Sequence, residues 1–144
     1  MKPLPPSFFD LFDYSDEGDI NKEGFAAAVI NYTQHPYIIF GTFLRSVENF
    51  YIICERYRNT YGEKFERIEQ TLKQTYFDRL YGYLDRFDET KLEHILEARQ
   101  FDDSEIAFAV DSLLEFYEST EDYEKCARLW KILQLTIGEK VASK

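Results

Sequence analysis

The sequence predicts an all-α fold. Apolar residues recur at intervals of three and four over long stretches, and no stretch alternates for long at the period of two that a half-buried strand requires. The breaks between the periodic stretches are short and carry Gly, Pro or small polar capping residues. Such connections imply mostly antiparallel neighbours, giving a compact bundle of about six helices with two long central ones. No linker is long enough to divide the chain, so residues 1–144 form a single helical domain.

Two prolines, Pro5 and Pro6, set up a short helix over residues 7–12, and a polar loop over 13–20 leads to a second helix over 22–32. Pro36 then suits the first turn of a long helix reaching Tyr61, because its missing N–H costs nothing there. Phe43, Val47, Phe50, Cys54, Tyr57 and Tyr61 form its stripe, with Ile39, Phe40, Tyr51 and Ile52 adding apolar surface. Gly62 is placed to stop it.

A second long helix follows over 63–87, with Phe65, Ile68, Leu72, Tyr76, Leu80, Tyr83 and Phe87 as its stripe. Asp88 is positioned to cap a shorter helix that ends at Arg99 and buries Leu92, Ile95 and Leu96. Asp102 with Glu105 reads as a capping box for a helix ending near Glu118. Ser119 or Thr120 would cap the last helix, which carries Tyr123, Cys126, Ala127, Trp130, Leu133 and Ile137 as its apolar stripe and stops at Gly138.

Composition narrows the function. The formal charge of −10 is uneven: residues 36–88 hold 8 acids and 8 bases, whereas 89–144 hold 13 acids and 7 bases. A nucleic-acid binder needs a basic footprint, and none is present, so no direct nucleic-acid partner is expected. The most apolar stretch, 38–53, is interrupted by Arg45, Glu48 and Asn49, which argues against a membrane span. With no apolar signal run at the start, a cytoplasmic setting is expected. Cys54 and Cys126 both fall in helical patterns and read as buried thiols. The 17% aromatic content exceeds what most cores use, so some Tyr rings should sit at the core rim.

Residues 9–25 carry an aromatic-rich helix ending in Leu11-Phe12-Asp13, oxygen-bearing side chains at alternate loop positions, Gly18 at the sixth position and Ile20 at the eighth. The segment resembles an EF-hand. That resemblance implies side-chain ligands from Asp13, Ser15, Glu17 and, through water, Asn21, with Asp19 giving its backbone carbonyl. The twelfth position holds Gly24 in place of the bidentate Glu. Glu23 lies one residue early, about 100° around the exiting helix, so any calcium binding would be weak. No other cofactor is implied.

No Lys or Arg occurs from Gln100 to Glu124, a window holding Asp102, Asp103, Glu105, Asp111, Glu115, Glu118, Glu121 and Asp122. On a helix, Asp111, Glu115 and Glu118 share one face. Leu113, Tyr117, Tyr123, Cys126 and Trp130 make residues 103–135 similar to a tetratricopeptide helix pair. A shift of 34 residues sets Leu80, Tyr83, Leu92 and Leu96 against Leu114, Tyr117, Cys126 and Trp130.

No nucleophile–base pair, phosphate loop or zinc spacing is present, and His35 and His94 lie in different elements. His94 reads as a helix-surface residue. The leading expectation is a non-enzymatic interaction module, an adaptor or inhibitor that presents acidic surface to a basic protein partner. A calcium-responsive domain and a structural or self-associating helical subunit are the alternatives.

Overall fold

The computed structural model describes residues 34–138. The expected helices over 7–12 and 22–32, and the loop with Asp13, Ser15, Glu17, Asp19 and Asn21, lie outside the described residues. Among those described, the chain is all-helical and forms no strand: α1 (Pro36–Tyr61), α2 (Glu63–Leu84), α3 (Leu92–Ala98), α4 (Asp103–Ser119), α5 (Tyr123–Leu133) and a final π-helical turn (Gln134–Gly138). No described helix is long and apolar enough to cross a membrane.

α1 begins as Pro36 requires. His35 is the N-cap, its Nδ1 accepting from the Tyr37 amide at 3.1 Å. Gly62 ends the helix at φ +57°, ψ −126°, a conformation that essentially only glycine adopts, while its N–H still reaches the Arg58 carbonyl. The chain then returns along α1. Arg58 is bonded to Glu69, the Phe50 ring meets Tyr76 and Phe77 at 4.7 and 5.1 Å, and Phe40 meets Phe87 at 4.9 Å. The buried Tyr76 hydroxyl donates to the Ser46 carbonyl at 3.1 Å.

The aromatic excess is a spine through this core. Phe77 continues it to Phe116 on α4, and Phe116 to Tyr117 and Tyr81. Each such pair adds about 0.5–1.5 kcal/mol beyond burial itself. Lys73 lies over three of the rings, Tyr51, Phe77 and Phe116, where its stem covers apolar surface and its ammonium meets the ring faces.

Several boundaries differ from the sequence reading. α2 ends at Leu84 rather than Phe87, because residues 85–87 close as tight i→i−3 turns onto Gly82, Tyr83 and Leu84. Asp88 does not cap α3; its carboxylate takes the Thr90 amide and hydroxyl at 3.0 and 2.6 Å, and Lys91 stands at the N-cap. His94 is half-buried rather than on the surface, with Nδ1 accepting from the Asp88 amide. α3 turns Ile95 and Ala98 inward, which leaves Leu92 and Leu96 exposed rather than buried. Ile52 is exposed as well.

The expected capping box at the start of α4 does not form. Asp102 holds the N-cap position, but its own carbonyl takes the Glu105 amide, and its side chain makes no capping bond. Ser119 and Thr120 do not cap α5 either, since their hydroxyls donate back to the Phe116 and Tyr117 carbonyls. Glu121, at φ +60°, reverses the chain, and Asp122 caps α5 through the Lys125 amide.

The apolar residues of α5 divide between two faces. Leu129, Ile132 and Leu133 are buried, whereas Tyr123, Ala127 and Trp130 are exposed and Cys126 is only partly covered. Of the stripe read from the sequence, Leu133 turns inward, while Tyr123, Ala127 and Trp130 turn outward.

Candidate functional site: an acidic, aromatic groove between α4 and α5

α5 is fixed on two sides. Its inward face buries Leu129, Ile132 and Leu133. On one flank two cations tie it to α2. Lys125 Nζ lies 4.8 Å from the Tyr117 ring centroid and 3.1 Å from Asp122, and Tyr117 in turn donates to Asp78 at 2.7 Å. Arg128 reaches Asp85, Glu89 and the end of α2.

The other flank carries Tyr123, Cys126, Ala127 and Trp130 at i, i+3, i+4 and i+7. Tyr123 is 64% exposed and Trp130 53%, so the two largest rings of α5 are the ones left uncovered. Opposite them α4 presents Asp111, Leu114, Glu115 and Glu118, and the two rows enclose a groove of about 500 Å³. The Cys126 thiol donates to the Leu114 carbonyl at 3.8 Å and closes the floor. Burial, and then the carboxylates of Glu118 and Asp122, push that thiol above its ordinary range.

The eight acids singled out from the sequence separate into different roles. Asp111, Glu115 and Glu118 are brought together on the groove wall, all exposed, with no ion pair among the described residues. Asp122 is committed to the cap and to Lys125. Glu121 occupies the strained turn. Asp102, Asp103 and Glu105 sit at the far end of α4, with Glu105 beside a different hollow formed by Gly41, Arg45, Glu48 and Phe101. Ten residues separate Glu105 from Glu115, about 15 Å along the axis, so the eight acids form no single patch.

Sequence reasoning missed the groove's apolar half, because periodicity alone reads Tyr123, Cys126, Ala127, Trp130 and Leu133 as one stripe. The signal was present: α5 carries a second apolar row, Leu129, Ile132 and Leu133, and one helix cannot turn both rows into the same core. Among the described residues no group of His, Cys, Asp or Glu is arranged to hold a metal ion. No protein-family model, curated protein or solved structure matches this chain.

Proposed function

We propose that this protein is a non-enzymatic interaction module, an adaptor or inhibitor, that presents the acidic face of α4 to a basic protein partner. One contrast carries the reading. Glu69, Asp78, Asp85, Glu89 and Asp122 each meet a cation of their own chain, whereas Asp111, Glu115 and Glu118 face solvent together. Like charges spaced three and four apart cost about 0.2–0.5 kcal/mol per pair, and α4 carries no Lys or Arg to offset that cost. A field of one sign beside an apolar groove attracts and orients a partner of the opposite sign. The bundle beneath is scaffold. Cys54 and Cys126 are both free thiols, which fits a reducing cytoplasmic setting.

The test is capture from native lysate by the wild-type chain and by a variant with Asp111→Lys, Glu115→Lys and Glu118→Lys. The reading expects basic proteins that are retained at about 50 mM salt and released by about 500 mM, and that the variant does not capture. Capture that survives both the salt and the triple change would contradict it.

A further inference from the structure

We infer that the α4–α5 groove is the docking site for a basic amphipathic helix of the partner, its apolar stripe on Tyr123, Ala127 and Trp130 and its Lys/Arg flank against Asp111, Glu115 and Glu118. The inference rests on the acidic-face reading and adds to it the fold of the occupant and the residues that anchor it.

The groove is apolar where an anchor would seat and acidic along one wall only. From Tyr123 to Trp130 is seven residues, about 10 Å along the axis, or two helical turns. A partner helix with apolar residues at i, i+4 and i+7 spans the same length, which is how a helix reads a groove between two others. An extended segment fits poorly. Its unpaired backbone carbonyls need donors, and the groove's polar side chains are mainly carboxylates, which only accept when ionised. A helix satisfies its own backbone and brings only side chains to the groove.

Charge selects the partner over the other occupants. The chain as a whole is at −10, so a second copy would bring net negative charge to an already negative wall. Its own first 35 residues hold 6 acids against 2 bases and are no better matched. The hollow at Gly41 and Phe101 is lined by Arg45 as well as by Glu48 and Glu105, so a cation of the chain itself already stands among its carboxylates.

Trp130 is the single tryptophan, so its emission reports directly on the groove. The probes are three synthetic peptides of equal length: one with Leu at i, i+4 and i+7 on a Lys-rich helix, a scrambled isomer of it, and a third that keeps the Leu stripe with every Lys replaced by Ser. The inference expects a saturable blue shift of Trp130 with the first peptide, and binding at least about tenfold weaker with each of the others. Ala127→Glu, which fills the exposed floor, should remove the shift while leaving the helical circular dichroism of the domain unchanged.

Equal binding of the scrambled isomer, lost on charge reversal of Asp111, Glu115 and Glu118, would overturn the helix-docking inference and leave the acidic-face reading standing. Equal binding of the Ser peptide would overturn the requirement for a basic partner, and with it both. A shift that follows protein concentration with no peptide present would identify a second copy as the occupant and overturn the inference.

Discussion

Arg128 closes the C-terminal end of α2 through Leu84: its Nη2 donates to the Leu84 carbonyl at 3.0 Å and, at the same distance, to that of Phe87. The Leu84 carbonyl also accepts from the Phe87 amide at 2.9 Å, and Phe87 lies in the turn just beyond α2, so the guanidinium adds a second donor at Leu84 and holds that turn. The same guanidinium holds Glu89 through Nε at 3.1 Å and Asp85 through Nη1 at 2.6 Å, with side-chain exposures of 20% for Arg128 and 13% for Glu89. One residue of α5 therefore ties that helix to the end of another some forty positions earlier in the chain.

Arg128→Ala should cost about 3 kcal/mol, because it leaves the half-buried Glu89 without its cation and the Phe87 carbonyl without this donor. Arg128→Lys should recover only part of that, since an ammonium cannot reach both carbonyls and the carboxylates with a planar fork. Chemical denaturation of the three proteins checks both statements. If the Lys variant is as stable as wild type, charge alone suffices and the fork is irrelevant.

Two glycines should respond to alanine with opposite signs. At Gly62 no atom lies within 4 Å of an added Cβ, yet φ is +57°, so Gly62→Ala should destabilise by about 1–2 kcal/mol through backbone strain alone. Gly82 lies inside α2, also with open space around it, and Gly82→Ala should stabilise by about 0.5–1 kcal/mol. Melting curves of the two variants on either side of wild type are the expected result.

The fold should weaken at alkaline pH through groups it keeps neutral. Burial pushes the Cys54 thiol up to about 12 from 9.0, and burial, joined at Tyr117 by the Asp78 carboxylate, pushes Tyr76 and Tyr117 well above their ordinary 10.0. The unfolded chain loses these protons first. Stability is therefore fully present below about pH 9 and falls as pH rises through the native values. Denaturation midpoints measured from pH 8 upward should decline accordingly, and a flat profile would contradict the assignment. At about pH 8, a disulfide reagent should modify Cys126 slowly and Cys54 only on unfolding.

How much of this was legible in the sequence varies along the chain. Among the described residues, α1 was well specified. Phe43, Val47, Phe50 and Cys54 are buried as their spacing requires, and Gly62 stops α1. Local pattern and tertiary packing agree there. In α5 they conflict, because two apolar rows compete for one core, and aliphatic Leu129, Ile132 and Leu133 take it from the larger Tyr123 and Trp130. The deciding contacts, Arg128 to Leu84 and Lys125 over Tyr117, lie between residues far apart or pair charges with rings, and helical periodicity carries neither. The carboxylates of Asp111, Glu115 and Glu118 were legible as one face; that an aromatic row lies opposite them was not.

The α4–α5 face is proposed as the surface where this protein meets a basic partner. Backbone amide chemical shifts, recorded while the Leu-striped, Lys-rich peptide is titrated in, test it most directly. Perturbations should group over residues 111–118 and 123–130, with α1 and the Gly41–Phe101 hollow unmoved. Perturbations centred on that hollow, or none at saturating peptide, would contradict it.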